Sequence, residues 1–127
     1  MLKIEFLYYD KNSCERCRVS SKSLSATMSE LRNVIKTSPE EIILKETKLP
    51  ASKLLQSPTI LINGKDVETL VNGKKDRTSN ECSNCCSLVG RSVNCRSFTY
   101  RGRKYDYIPR AMISEAIDIV SRAKKKR

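Results

Sequence analysis

The chain has 127 residues, of which 39% are apolar and 31% are charged, and it carries a formal net charge of +11. This length and composition suit one globular domain with a single core and exclude a disordered or fibrous chain. No apolar run approaches the roughly 18–20 residues that a membrane helix needs. The opening MLKIEF alternates charged and apolar residues, unlike a secretory signal. We therefore expect a cytoplasmic protein with no membrane partner.

The positive charge is concentrated in the second half of the sequence. Residues 1–63 carry 10 basic and 7 acidic groups, and residues 64–127 carry 15 and 7. The second half could therefore meet an acidic partner such as nucleic acid, but a solvated basic surface explains the same composition and is the interpretation we favour.

The first predicted element is a strand at residues 3–10, KIEFLYYD, which is rich in aliphatic and aromatic residues. A helix should follow, from near Cys14 or Cys17 to about Lys36. Its apolar stripe has helical spacing and consists of Leu24, Met28, Leu31 and Ile35. The sequence TSPE then ends the helix, because proline disfavours helical geometry in the preceding residue.

The middle of the chain predicts two more strands separated by a short helix. The unbroken apolar centre of residues 40–47, EEIILKET, suits a strand of a parallel sheet that is covered on both faces. Residues 49–56 predict a short helix with Pro50 near its first turn. Residues 58–71, PTILINGKDVETLV, predict a strand, a tight Asn-Gly turn and another strand.

Residues 72–108 differ from the rest because they are polar, punctuated by glycine and hold four cysteines. Their last part, RSFTYRGRKYDYIP, predicts a hairpin that turns at Arg101-Gly102. A final helix should begin near Pro109. We therefore expect one α/β domain over residues 1–127, with a small central mixed sheet of about four strands flanked by helices, and with residues 72–108 as an insertion before the last helix.

Cys14 and Cys17 are the first candidates for chemistry. A cysteine at a helix start faces unpaired backbone N–H groups and the positive end of the helix dipole, which lowers the pKa of the thiol from about 8.5 toward neutrality. The spacing in CERC puts the second sulfur one turn along, close enough to resolve a mixed disulfide. Arg16 and Arg18 add positive charge nearby, and Glu15 opposes it. Half of a zinc site is the competing interpretation of this pair.

The order strand, CERC, helix, strand, helix and then SPTILINGKDVE resembles the thioredoxin/glutaredoxin fold over residues 3–71 and the final helix. The whole chain, including CSNCC and CRSFTYRGRKYDYIP, resembles a small, uncharacterised family of thioredoxin-like proteins from archaea and bacteria. The chain departs from the thioredoxin pattern in two ways. Glu15-Arg16 stands inside the motif, where thioredoxins usually have a proline, and the tryptophan that precedes the motif is missing.

The resemblance implies a thiol–disulfide oxidoreductase. Cys14 would attack a substrate disulfide and Cys17 would resolve the mixed disulfide. Pro58 would be a cis-proline beside the pair, with the backbone of Ser57 binding the substrate strand. The partners would be a protein or small-molecule disulfide and a thiol electron donor. No cofactor is certain.

A second cysteine group has the spacing C-x2-C-C-x8-C and consists of Cys82, Cys85, Cys86 and Cys95. Three interpretations stay open. Four thiolates could hold zinc or an iron–sulfur cluster. The group could instead be a second redox pair, or a set of reduced thiols with no joint role. The alternative function is accordingly metal binding or metal delivery, with no histidine in the chain to assist.

The stretch RSFTYRGRKYDY interleaves cations with aromatic rings, a combination that can hold single-stranded nucleic acid. It matches no established nucleic-acid motif. Alternating aromatic residues also form one buried face of an ordinary strand pair. We therefore do not expect nucleic acid as a partner.

Overall fold

The structure is a computed structural model that describes residues 2–10, 15–35, 42–73, 78–81, 90 and 94–125. The strands are β1 (Leu2–Tyr8), β2 (Ile42–Lys48), β3 (Thr59–Ile62), β4 (Lys65–Asp66), β5 (Thr78–Glu81), β6 (Asn94–Tyr100) and β7 (Arg103–Tyr105). The helices are α1 (Glu15–Ile35), a 3-10 helix (Ala51–Gln56), α2 (Val67–Asn72) and α3 (Arg110–Lys125).

The first sheet is mixed and has four strands in the order β2-β1-β3-β4. β1 pairs with β2 in parallel and with β3 in antiparallel orientation. The pairing of Leu7 with Thr59 brings the end of β1 to the start of β3. Since α1 follows β1 in the chain, this helix begins at the same end of the strands. The predicted mixed α/β sheet of about four strands is confirmed.

A second, antiparallel sheet has the order β5-β6-β7. β6 and β7 form the predicted hairpin, which turns at Arg101 and Gly102 with φ values of 51° and 78°. Two consecutive residues with positive φ make the tight turn that suits the twist of a two-residue hairpin.

The core combines one face of β1 with α1 and α3. Leu2, Ile4 and Phe6 alternate with more exposed residues along β1 and are at most 1% exposed. The helices contribute their apolar stripes to the same cluster: Leu24 and Met28 from α1, and Met112, Ile113, Ala116, Ile117 and Val120 from α3. Leu24 and Met28 belong to the helical stripe that the sequence predicts for α1. Among the described residues, no helix has the length and apolarity needed to cross a membrane.

The prediction that β2 is covered on both faces is wrong. β2 lies at an edge of the sheet, and Ile43 and Leu44 are 38% and 40% exposed. The short apolar run Ile42-Ile43-Leu44 suits any strand in a parallel pair, and it does not by itself distinguish a central strand from an edge strand.

The predicted strand after the Asn-Gly turn is wrong beyond Asp66. β4 has only two residues, and Val67–Asn72 form α2 instead. The Asp66 carboxylate caps this helix by accepting a hydrogen bond from the Glu68 N–H, and Gly73 ends it in the left-handed conformation. The two caps outweigh the strand preference of the valine and threonine residues in VETLV.

Candidate redox site

Cys17 lies in the first turn of α1, at the edge of the sheet where β1 ends. Its side chain is fully buried, and its Sγ lies 3.1 Å from the hydroxyl oxygen of Ser57. Forty positions separate these two residues in the sequence, and the antiparallel pairing of β1 with β3 brings them together. Cys14 lies outside the described residues, and it directly precedes Glu15, the first residue of α1.

The Ser57 hydroxyl joins Cys17 to the end of β1. Its oxygen accepts a hydrogen bond from the backbone N–H of Tyr9 at 2.9 Å. A hydroxyl has one proton and two lone pairs, so this bond leaves the Ser57 proton available. When Cys17 is a thiolate it has no proton to donate, and Ser57 must be the donor in the contact of 3.1 Å. The site thus offers the thiolate a hydrogen bond that stabilises its charge.

Pro58 is buried and follows Ser57 through a cis peptide bond, as the sequence resemblance predicted. The Ser57 carbonyl, next to this bond, accepts a hydrogen bond from the backbone N–H of Arg96 at 3.0 Å. β6 of the same chain therefore lies alongside the backbone that was predicted to bind a substrate strand. Ser57 itself is fully buried.

The two residues inside the CERC motif have different environments. Glu15 is exposed. The Arg16 side chain is 9% exposed, and its Nη1 donates to the backbone carbonyls of Cys95 at 3.2 Å and Arg96 at 3.4 Å. Its Nη2 also lies 3.8 Å from the carboxylate of Asp106. Arg16 therefore connects the start of α1 to the backbone of β6.

Arg96 anchors β6 from the other side through a buried network of charges. Its guanidinium donates to both carboxylate oxygens of Asp66, at 2.5 and 2.8 Å, to Glu68 at 3.2 Å and to the Thr59 hydroxyl at 2.9 Å. It also lies over the ring of Phe98, 4.6 Å from the centroid. Arg96 and Glu68 are each 1% exposed, so the charges are screened little by water and their hydrogen bonds are correspondingly strong.

Of the second cysteine group, the structure describes Cys95, which is fully buried in β6. The predictions for Cys82, Cys85 and Cys86 lie outside the described residues. Within the described ranges, no three acidic or cysteine side chains come together in a way that could hold a metal ion. The interpretations of this group as a metal site or as a redox pair therefore stay predictions.

A family model described as "Domain of unknown function (DUF2703)" matches residues 2–117. The chain belongs to the DUF2703 family. No curated protein and no solved structure matches the chain. Because the description of the DUF2703 family names no activity, a function must be inferred from the geometry of the site.

In this DUF2703 protein, the arginines of the basic hairpin have two different environments. Arg96 is buried in the charge network, so its side chain does not face solvent. Arg101 is exposed, and it donates to the Tyr100 hydroxyl and to Glu115, each at 3.1 Å. The hydrogen bond to Tyr100 is the main cause of a raised pKa for Arg101, which keeps its positive charge at all ordinary pH values.

Sequence reasoning missed the roles of Arg16, Asp66 and Glu68. Asp66 and Glu68 follow the Asn-Gly turn, and their pattern of a capping residue with a nearby acid could have indicated a helix start. No signal in the sequence pairs them with Arg96, which lies 30 and 28 positions further along the chain.

Proposed function

We propose that the protein is a thiol–disulfide oxidoreductase with a thioredoxin-like fold and a Cys14-Cys17 redox pair. The observation that carries the proposal is the placement of Cys17. This cysteine lies in the first turn of a helix that directly follows a central strand, and its sulfur contacts Ser57 beside Pro58. A helix start and a hydroxyl donor both stabilise a thiolate, which is the reactive form of cysteine.

The order of elements supports the thioredoxin-like part of the proposal. β1, α1, β2, the 3-10 helix and β3 follow one another in the order on which the sequence resemblance rests. The mixed sheet brings the end of β1 and the start of β3 together, so that Cys17 and Ser57-Pro58 meet at the same end of these strands. Ligands of open α/β sheets commonly bind outside such strand ends.

The reaction has two exchange steps. In the first, the Cys14 thiolate attacks one sulfur of the substrate disulfide, the substrate S–S bond breaks, and the other substrate sulfur leaves with the electron pair and takes a proton. In the second, the Cys17 thiolate attacks the Cys14 sulfur and releases the remaining substrate thiol. The substrate gains two electrons and two protons, and a Cys14-Cys17 disulfide forms. A thiol donor then reduces this disulfide.

The burial of Cys17 suits the resolving step. A fully buried sulfur is closed to dissolved disulfides but can attack a neighbouring sulfur in the same motif. Burial alone disfavours the thiolate, so the reaction needs local stabilisation of the negative charge. The helix start and the Ser57 hydroxyl supply it.

Variants of the three site residues test this function. Reduction of glutathione disulfide and of a small protein disulfide should be lost in Cys14→Ser, and Cys17→Ser should still form the mixed disulfide at Cys14 but no Cys14-Cys17 disulfide. Ser57→Ala should slow the release from the mixed disulfide by about 10- to 150-fold, since a hydrogen bond to a charged group contributes about 1.5–3 kcal/mol.

Ser25→Ala is the matched control for Ser57→Ala, because Ser25 is exposed on the same helix as Cys17. It should leave the rate unchanged. Full disulfide reductase activity in Cys14→Ser would contradict the proposed function.

A further inference from the structure

The backbone N–H of Arg96, which follows Cys95 in β6, binds the Ser57 carbonyl, where the sequence resemblance predicts that an external substrate strand binds. We propose that β6 is an intramolecular substrate strand, and that Cys95 exchanges disulfides with the Cys14-Cys17 pair. This inference rests on the proposed function, and it names the partner that the redox pair meets first.

The first observation is the hydrogen bond at Ser57. The Ser57 carbonyl adjoins Pro58 and belongs to the residue whose hydroxyl contacts the Cys17 sulfur. This carbonyl accepts a hydrogen bond of 3.0 Å from the backbone N–H of Arg96, the residue after Cys95. Strand addition uses backbone hydrogen bonds of this kind to bring a peptide to a recognition site. Here the peptide is part of the protein, and the cysteine lies next to the donor.

The second observation is the contact between the redox motif and β6. Arg16, which lies between Cys14 and Cys17, donates to the carbonyls of Cys95 and Arg96. The backbone on both sides of the Cys95–Arg96 peptide bond is therefore held, by Ser57 through the Arg96 N–H and by Arg16 through the carbonyls. These contacts place the Cys95 backbone beside the turn of α1 that contains Cys17.

The third observation is the strength of the anchor on β6. Removing one partner of a buried ion pair is strongly destabilising, and pulling β6 away would separate Arg96 from Asp66 and Glu68. A strand held in this way stays in place while external substrates come and go. This favours a resident partner strand over an inhibitory segment that a substrate displaces.

The exchange between Cys95 and the Cys14-Cys17 pair needs no further oxidant or reductant. Cys95 as a thiolate attacks one sulfur of the Cys14-Cys17 disulfide, that S–S bond breaks, and the other sulfur of the pair leaves with the electron pair. In the reverse direction, the pair releases Cys95 as a thiol. Cys95 and Cys17 are both fully buried, so each is shielded from dissolved thiols. Exchange within the chain needs no access from solvent.

Trapping the mixed disulfide tests the inference. The Cys17→Ser protein lacks the resolving sulfur, and it is reduced, treated with glutathione disulfide, alkylated and digested without reductant. Cys14 should first take up glutathione, and Cys95 should then displace it, so that mass spectrometry finds a peptide in which Cys14 and Cys95 are linked. The double variant Cys17→Ser, Cys95→Ser should stop with glutathione on Cys14.

Two further variants test whether Arg16 holds the Cys95 backbone beside the redox pair. Arg16→Ala in the Cys17→Ser background should slow formation of the Cys14–Cys95 link severalfold, because the backbone of Cys95 loses its donor. Lys22→Ala is the control, since Lys22 is an exposed cation further along the same helix, and it should leave the rate unchanged.

Two results would overturn the inference. If Cys14 retains glutathione and Cys95 is recovered as a separately alkylated thiol or linked to another cysteine, Cys95 is not the partner although the redox function stands. If Cys14 takes up no glutathione at all, the proposed function fails and the inference fails with it.

Discussion

The apolar core and the buried charge network of Arg96 hold their neighbouring elements in different ways. The core joins β1 to α1 and α3 through contacts such as those of Phe6 and Met112, which depend on shape and area rather than on direction. The network joins β6 to β4 and α2 through hydrogen bonds from one guanidinium. Apolar packing stabilises the domain, whereas the directional network fixes which residue of β6 meets Ser57.

Burying the charges of the network costs desolvation free energy, and the hydrogen bonds between them have a specific geometry. Removing charges from water is unfavourable unless hydrogen bonds compensate, and here two carboxylates face one guanidinium. Asp66 also caps α2, and Glu68 also accepts the Thr99 N–H at 2.7 Å. Because each carboxylate has two tasks, α2 and β6 are placed together. We infer that the network serves to position β6 more than to add stability.

Arg96→Ala should have the largest effect on stability of the changes that compare these two regions. The substitution leaves Asp66 and Glu68 buried without their cation, and it should lower the free energy of unfolding by about 3–5 kcal/mol. Denaturation by urea, followed by circular dichroism, measures the change. Arg103→Ala is the control, because Arg103 is exposed on the same hairpin, and it should shift stability by less than about 0.5 kcal/mol. Equal shifts in the two variants would contradict the importance of the network.

Ile60→Val should have a smaller effect, although Ile60 is fully buried in the apolar core. The change removes one methyl group and leaves a small cavity, and it should lower the free energy of unfolding by about 0.5–1.5 kcal/mol. The same urea titration measures it. A loss larger than that of Arg96→Ala would reverse the ranking of the two regions.

The apolar half of the structure could be predicted from the sequence because its signals are periodic. Leu24 and Met28 recur at helical spacing, and Leu2, Ile4 and Phe6 alternate along β1. Other local signals predicted the hairpin at Arg101-Gly102 and the start of α3 near Pro109. Such features depend on residues that are close in the chain.

The charge network could not be predicted in this way. Arg96 lies in a stretch that is rich in cations and aromatic rings, and nothing local distinguishes it from exposed Arg101. Its burial depends on the distant carboxylates of Asp66 and Glu68, which α2 brings into place. The contact of Arg16 with the β6 backbone is equally distant, at 79 positions. The site residues Cys17, Ser57 and Pro58 were predicted because they match a known arrangement of motifs.

The measurement that tests the proposed redox centre most directly is cysteine-resolved alkylation mass spectrometry across a series of thiol/disulfide buffers, prepared anaerobically with and without a chelator. As the buffer becomes more oxidising, we expect Cys14 and Cys17 to become protected from alkylation together, in one two-electron transition. Its reduction potential should lie between about −120 and −270 mV, the range of known exchangers. The chelator should make no difference. If the two cysteines titrate independently, or resist alkylation until the chelator is added, CERC is not a redox pair.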